Sequence, residues 1–221
     1  MFKKIVFVIT LFLSIHSSAQ KVPFYGDIQA FKKEDSLKTP IKNPVLFVGS
    51  SSFTKWTHLQ QDFPSVPLIN RGFGGSTLLD VIHFQNEVIF KYHARKIVIY
   101  CGENDIASSE KVTPNEVFNR FKTLYKNIRK QEPNVPIIYI SIKPSPSRWQ
   151  MKERQIETNK LIEKYINENH NIIFVNIWDK MLDANGNPKE EIFGPDRLHM
   201  NEKGYQIWID ALKDKLNQTK N

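Results

Sequence analysis

The chain has 221 residues, of which 40% are hydrophobic and 24% are charged, as in an ordinary globular protein. This length suits one domain with a substantial core, and the composition excludes fibrous, repetitive and disordered proteins. The formal net charge is +8, but no basic tract carries interleaved aromatic residues, so nucleic-acid binding is not expected. The lone cysteine, Cys101, excludes an internal disulfide and is expected to be a small buried residue.

The N-terminal residues 1–19 are predicted to be a secretory signal peptide. Lys3 and Lys4 precede an apolar run over 5–15, and small residues follow it. The run is shorter than the roughly 20 residues that span a bilayer, so we expect cleavage after Ala19 and no integral membrane segment in the mature protein. The protein is therefore expected to be secreted or periplasmic.

Strands and helices alternate along the rest of the chain. Short apolar runs, rich in β-branched residues, predict strands buried on both faces. These runs are 45–48, 66–69, 97–100, 137–140 and 172–175. Helical patterns cover 77–92, 114–131, 150–168 and 205–216, with Thr113 and Glu116 as a capping box and Asn201 as a cap. The alternation predicts a parallel sheet with helices on both faces. Residues 20–43 are expected to be an N-terminal extension that packs on a single domain, 44–221.

Each predicted strand is followed by a polar or glycine-rich cluster, although the last cluster comes well after its strand. The clusters occupy 49–52, 70–76, 102–105, 143–148 and 194–199. Ligands of open α/β sheets bind beyond the carboxyl ends of the strands, which share one edge of the sheet. The sequence therefore predicts a functional site at that edge.

The residue types in these clusters indicate acyl transfer. A serine hydroxyl becomes a good nucleophile when a base, usually histidine, removes its proton, and that histidine needs a carboxylate to orient it. Asp196 and His199 are three residues apart in a loop, so one turn could present both side chains together. An oxyanion needs preorganised donors, which the Gly75 N–H and the Asn104 amide could supply. Each feature alone is common in turns, and only the set is specific.

The set resembles the SGNH hydrolases, also called GDSL-type lipases/acylhydrolases, over about residues 44–216. The four matching blocks are 49–51, 70–75, 102–105 and 196–199, in the family's order. The resemblance implies a flavodoxin-like three-layer α/β/α sandwich with a five-stranded parallel sheet. It implies no metal and no organic cofactor.

The same resemblance implies a role for each matching residue. Ser51 would be the nucleophile, His199 the general base and Asp196 the partner of the histidine. The backbone N–H groups of Ser51 and Gly75 and the side chain of Asn104 would form the oxyanion hole.

One position departs from the family pattern. The family's Asp before the nucleophile is Ser50 here, which leaves the triad intact but is expected to alter local hydrogen bonding. Ser51 is preferred as the nucleophile because it aligns with the serine of the family motif, two residues after Gly49 and five before Trp56. The residues of these blocks resemble most those of platelet-activating-factor acetylhydrolase-like bacterial proteins. This resemblance suggests short acyl groups, acetyl above all. The expected substrates are small esters or carbohydrate O-acetyl esters.

Further residues near the predicted site have two interpretations each. Arg71, Lys143 and Arg148 could bind an anionic part of the substrate, or be solvated loop charges. Trp56 could form a wall of the substrate pocket, or belong to the core. Glu103 could face the site loop, but it is expected to be solvated.

Other functions remain open at this point. A lysophospholipase or thioesterase of the same family would need a long apolar groove. A catalytically inactive glycan-binding module would not need the retained polar residues. A flavodoxin-like nucleotide or flavin binder lacks the glycine-rich phosphate-binding patterns, and leaves Asp196 and His199 without a role.

Overall fold

The computed structural model describes residues 23–217. The predicted signal peptide and the first residues of the predicted extension lie outside this range. The helices and strands are α1 (Tyr25–Leu37), β1 (Val45–Gly49), α2 (Ser51–Thr54), α3 (Leu59–Asp62), β2 (Leu68–Gly72), α4 (Leu78–His83), α5 (Gln85–Val88), β3 (Lys96–Tyr100), α6 (Glu103–Ala107), α7 (Pro114–Gln131), β4 (Ile137–Ile140), α8 (Lys152–Asn167), β5 (Ile172–Val175) and α9 (Glu202–Asn217). Short 3₁₀ helices cover Phe90–Tyr92, Pro146–Met151, Asp179–Met181 and Glu190–Ile192.

The five strands form one parallel sheet in the order β2-β1-β3-β4-β5. Successive side chains of a strand point to opposite faces, so Leu46 and Val48 enter one core cluster while Val45 and Phe47 enter the other. Residues of α1, α4, α5, α7 and α8 complete the first cluster, and residues of α2, α3 and α9 complete the second. The predicted three-layer α/β/α sandwich is confirmed.

The predicted strands occur where expected, except for a shift at β2. This strand runs over Leu68–Gly72 rather than 66–69. The ladder with β1 begins by pairing Val45 with Leu68, directly after Pro67, which has no N–H to donate. It continues through Asn70 and Arg71, polar residues predicted to follow the strand, because backbone pairing does not depend on side-chain polarity.

The helix α7 covers the predicted range 114–131. Its capping box forms as expected, since the Glu116 N–H donates to Thr113 Oγ1 at 3.2 Å and the Thr113 N–H donates to Glu116 Oε2 at 2.7 Å. Local sequence was sufficient here because both the cap and the apolar stripe lie within the helix itself.

The predicted single helix over 77–92 is wrong. The segment is divided into α4, α5 and a 3₁₀ turn, with breaks at Phe84 and Ile89, whose ψ angles of 15° and −68° depart from the regular helix. Both side chains are buried in the first core cluster, and Phe84 contacts Phe73 edge to face. Tertiary packing therefore overrides the helical pattern. The segment 150–168 differs less, with a 3₁₀ turn before α8.

The helix α1 is held to the domain by Arg71 of β2. The guanidinium forms ion pairs with Glu34 and Asp35 of α1, and its Nε donates to the Tyr92 hydroxyl at 2.6 Å. It also lies against the rings of Phe31 and Tyr92, at 4.9 and 5.1 Å from their centroids. This buried cation fixes the last turns of α1 against the edge of the sheet.

Candidate active site

The turn after β1 presents Ser51. Gly49 has φ +145°, and a Cβ there would lie 1.9 Å from the carbonyl oxygen of Tyr100, so only glycine fits. The next residue, Ser50, is buried, and its N–H donates to that same carbonyl at 3.0 Å. Ser51 is half-buried and begins α2, where a backbone N–H has no acceptor within the helix. The turn thus presents a hydroxyl together with an N–H that no carbonyl of its own helix accepts.

The glycine-rich loop after β2 lies beside this turn. A Cβ on Gly74 would lie 4.0 Å from that of Ser51, and Gly75 has φ +87°. The next residue, Ser76, is fully buried, and its hydroxyl donates to the carbonyl oxygen of Gly49 at 3.1 Å. This bond ties the loop to the end of β1 and keeps Gly75 close to the turn that carries Ser51. Sequence reasoning missed Ser76, because nothing local marks its distant partner.

The Asn104 side chain has a defined orientation. Its Nδ2 donates to the carbonyl oxygen of Ser76 at 3.0 Å, and its Oδ1 accepts from Arg148 Nη1 at 3.0 Å. Arginine has only donors, so its partner atom on the amide must be the oxygen. One of the two Nδ2 protons is engaged by Ser76, which leaves the other for an oxygen of a bound substrate.

Asp196 and His199 form a close pair. The distance between Asp196 Oδ2 and His199 Nδ1 is 2.6 Å, and Asp196 Oδ1 accepts from the N–H groups of Leu198 and His199 at 3.0 and 2.9 Å. Partial burial raises the pKa of the Asp196 carboxyl, but these hydrogen bonds lower it more, so the pKa lies well below its usual value. The carboxylate thereby holds the Nδ1 proton and leaves Nε2 as the basic atom.

His199 Nε2 is buried and, among residues 23–217, has no hydrogen-bond partner. It therefore makes no hydrogen bond to Ser51 in this structure. Because buried polar atoms are almost always hydrogen-bonded, Nε2 is expected to gain a partner when a substrate is present. Catalytic hydrogen bonds that are long in a free enzyme shorten when substrate binds.

Hydrogen bonds connect the loop of His199 to the other site segments. The Ser147 N–H donates to the carbonyl oxygen of Arg197 at 3.0 Å, which joins this loop to the segment that carries Arg148. The Tyr205 hydroxyl donates to the carbonyl oxygen of Ser52 at 2.8 Å, which joins α9 to α2. The predicted catalytic and oxyanion residues thus belong to segments that meet at the carboxyl edge of the sheet.

A cluster of buried charges lies beneath the site, and it corrects the expectation that Glu103 is solvated. Glu103 is 4% exposed and accepts from the Tyr100 hydroxyl at 2.6 Å and from Lys143 Nζ at 2.9 and 3.1 Å. Arg148 Nη1 lies 3.3 Å from Glu103 Oε1. Burial raises the pKa of the Glu103 carboxyl, but the charges of Lys143 and Arg148 outweigh it, so the pKa is lowered. Glu103 is therefore the anion that holds two cations below Asn104.

Three of the four predicted substrate contacts lie in the interior. Trp56 is 3% exposed, stacks on Tyr205 and donates from Nε1 to Asp62 at 2.6 Å. Arg71 and Lys143 are 4% and 1% exposed, and each is paired with carboxylates. Buried side chains that are already bound to carboxylates have little surface to offer a substrate. The predicted substrate contacts of Trp56, Arg71 and Lys143 are therefore corrected, since these side chains stabilise the fold instead. Arg148 alone of the four contacts a predicted oxyanion residue.

Within residues 23–217, none of the helices has the length and apolar character needed to cross a membrane. Over the same residues, no cluster of three or more His, Cys, Asp or Glu side chains is arranged to hold a metal ion.

The parallel three-layer sandwich, with a serine turn, a glycine loop and an Asp–His loop at one edge, defines an SGNH-type hydrolase architecture. Residues 44–207 match the family described as GDSL-like Lipase/Acylhydrolase, and the chain belongs to this family of ester hydrolases. The family resemblance drawn from the sequence is thereby confirmed. Among curated proteins, no sequence matches the chain.

Solved structures share the fold. A protein of Streptococcus pneumonia described as a platelet activating factor is 24% identical, with a TM-score of 0.76, covering 86% of this chain and 91% of that one. A GDSL-like lipase of Bacteroides thetaiotaomicron is 20% identical, with a TM-score of 0.72 and coverages of 86% and 96%. An acetylxylan esterase of Geobacillus stearothermophilus is 16% identical, with a TM-score of 0.64 and coverages of 82% and 98%.

Proposed function

We propose that this protein is a serine-dependent esterase that removes short acyl groups, acetyl above all, from carbohydrates or other small esters. The observation that carries the proposal is the state of His199. Its Nδ1 is bound to the Asp196 carboxylate, and its Nε2 is buried without a partner among the described residues. An imidazole whose Nδ1 is held by a carboxylate in this way presents Nε2 as a general base.

The chemistry follows an acyl-enzyme route. His199 Nε2 takes the hydroxyl proton of Ser51 as Oγ attacks the ester carbonyl carbon. The N–H groups of Ser51 and Gly75 and the amide of Asn104 stabilise the oxyanion. The carbon–oxygen bond of the ester then breaks, and the alcohol leaves with the proton from His199. Water attacks the acyl-serine with His199 again as base, which releases the acid and restores the Ser51 hydroxyl.

One comparison supports a short acyl group, because a structural neighbour is an acetylxylan esterase. The signal-peptide pattern of residues 1–19 supports an enzyme that is secreted or periplasmic. Acetylated polysaccharides are accessible to an enzyme in either location.

The test compares hydrolysis of p-nitrophenyl acetate, butyrate and decanoate by the mature protein, Ser51→Ala and Ser50→Ala. We expect kcat/KM to fall with chain length, and Ser51→Ala to lose at least about 1,000-fold on the acetate ester. Ser50→Ala is the matched control, because it removes a neighbouring hydroxyl of the same turn, and it should retain activity within about tenfold. Acetate release from acetylated xylan then tests the carbohydrate substrate.

Each contrary result has a definite meaning. Loss of activity in Ser50→Ala with retention in Ser51→Ala would move the nucleophile. Faster hydrolysis of decanoate than of acetate would favour a lysophospholipase or thioesterase. Absence of hydrolysis by the wild-type protein, together with binding to glycans, would favour the inactive binding module.

A further inference from the structure

The side-chain amide of Asn104 needs a partner that decides which way it points. An amide can rotate by half a turn and exchange its oxygen for its nitrogen at nearly the same positions. Ser76 supplies an acceptor on one side, and Arg148 Nη1 supplies a donor at 3.0 Å on the other. The flipped amide would direct NH₂ at a guanidinium and oxygen at a carbonyl, with two unfavourable contacts. Arg148 thus excludes the orientation that offers no donor to an oxyanion.

Arg148 is itself held in place. Its Nη1 is 3.3 Å from Glu103 Oε1, and Glu103 is fixed by Lys143 and by the Tyr100 hydroxyl. The neighbouring Ser147 N–H is bound to the loop between Asp196 and His199. The Arg148 side chain is 18% exposed, so its charge is only partly screened by water. The guanidinium is therefore oriented before any substrate arrives.

We infer that Arg148 is a positioning residue of the oxyanion hole, which acts through Asn104 and not by direct contact with the substrate. Its charge-assisted bond to Oδ1 fixes the amide and draws electron density from it, which strengthens Nδ2–H as a donor. An oxyanion exists only in the transition state and the tetrahedral intermediate, so the contribution should appear in kcat more than in KM. This inference rests on the proposed esterase function and deepens it.

The kinetic test uses Arg148→Met, Arg148→Lys, Asn104→Ala and the double variant Arg148→Met/Asn104→Ala. Removal of a direct oxyanion donor lowers kcat by about 100- to 1,000-fold, so we expect about tenfold or more for Arg148→Met, with KM changed less than about twofold. In the Asn104→Ala background, Arg148→Met should lower kcat by less than about a further twofold, because the amide through which Arg148 acts is absent. Arg148→Lys keeps the charge and should recover part of the loss.

The matched control is Arg154→Met. Arg154 is a nearby arginine whose Nη1 donates to the carbonyl oxygens of Ile106, Ser109 and Val112, with no bond to Asn104. It should change thermal stability but leave kcat within about twofold. Equal kinetic losses in Arg154→Met and Arg148→Met would overturn the inference, as would independent losses from Arg148→Met and Asn104→Ala. A raised KM for anionic substrates with unchanged kcat would make Arg148 a substrate contact instead.

A measurement without substrate separates this inference from the proposed function. In ¹⁵N-labelled protein, the side-chain amide signals of Asn104 are identified by their loss in Asn104→Ala. They should move and lose hydrogen-exchange protection in Arg148→Met but not in Arg154→Met. Unchanged signals would overturn the inference even if Ser51 proves to be the nucleophile. An inactive wild-type protein would overturn the esterase proposal, and with it the catalytic part of this inference.

Discussion

Gly49 adopts φ +145° where β1 turns into α2, and a Cβ there would overlap the carbonyl oxygen of Tyr100 at 1.9 Å. The obstacle is backbone of the neighbouring strand β3, which cannot move aside as a flexible side chain could. The position of Ser51 therefore depends on the absence of a single methyl group two residues earlier.

Gly49→Ala should lower the free energy of unfolding by at least about 3 kcal/mol, because both the backbone angle and the space exclude a side chain. Gly26→Ala is the control, since nothing lies within 4 Å of a Cβ at that position of α1. It should be neutral or stabilising by up to about 1 kcal/mol. Urea unfolding of both variants measures the difference, and similar values would refute the steric argument.

The pair of Asp196 and His199 could be predicted from sequence because its geometry is local. A spacing of three residues lets Asp196 Oδ1 bind two backbone N–H groups of its own turn while Oδ2 binds the imidazole. The bond from Arg148 to Asn104 joins residues 44 positions apart, and no spacing rule marks such a pair.

The edge strand β2 combines two tasks, pairing with β1 and holding α1. Arg71 Nη1 donates to the carbonyl oxygen of Asn70 at 2.6 Å, and Asn70 Oδ1 accepts from the Gly72 N–H at 2.9 Å. Side chains thus satisfy some of the polar backbone groups of this edge, which would otherwise invite pairing with another strand.

Arg71→Met should lower the free energy of unfolding by about 2 kcal/mol, because it removes a buried guanidinium and its charge-assisted bonds to the partly exposed carboxylates of Glu34 and Asp35. The loss should be accompanied by faster hydrogen exchange in Tyr25–Leu37 than elsewhere. Lys91→Met is the control, since Lys91 also pairs with Asp35 but is 39% exposed. Equal losses in the two variants, or unchanged exchange in α1, would refute the assigned role of Arg71.

Acid should destabilise the whole molecule through several carboxylates. Asp35, Glu103 and Asp196 each have a lowered pKa, because hydrogen bonds and nearby cations outweigh the raising effect of burial. Near the ordinary carboxyl pKa values of 3.8 and 4.5, the unfolded chain then binds more protons than the folded one. The free energy of unfolding therefore rises with pH in this range and decreases as pH falls. Asp105 opposes this trend, because burial raises its pKa above that of its unfolded state.

The melting temperature should therefore fall between about pH 6 and about pH 3. Asp35→Asn should give a shallower fall, since one lowered carboxyl pKa is removed. Asp214→Asn, an exposed position on α9, should leave the slope unchanged. Calorimetric melts across this pH range measure the slopes, and parallel curves for wild type and Asp35→Asn would contradict the argument.

Apolar runs and caps are local features, so they predicted the five strands and the helix Pro114–Gln131. The shared edge of parallel strands then predicts that Ser51, Asn104 and His199 lie on one side of the sheet. Chain order and spacing were enough, because topology alone brings the carboxyl ends of such strands together.

The partners of Arg71, Lys143 and Arg148 could not be predicted in this way, since all three are cations at the same edge of the sheet. Arg71 binds Asp35, Lys143 binds Glu103 and Arg148 reaches Asn104, across 36, 40 and 44 residues of sequence. The broken helix at Phe84 has the same origin, in contacts with distant core residues. Hydrophobic patterns report which face of an element is buried, whereas the partner of a buried charge depends on how the elements pack in three dimensions.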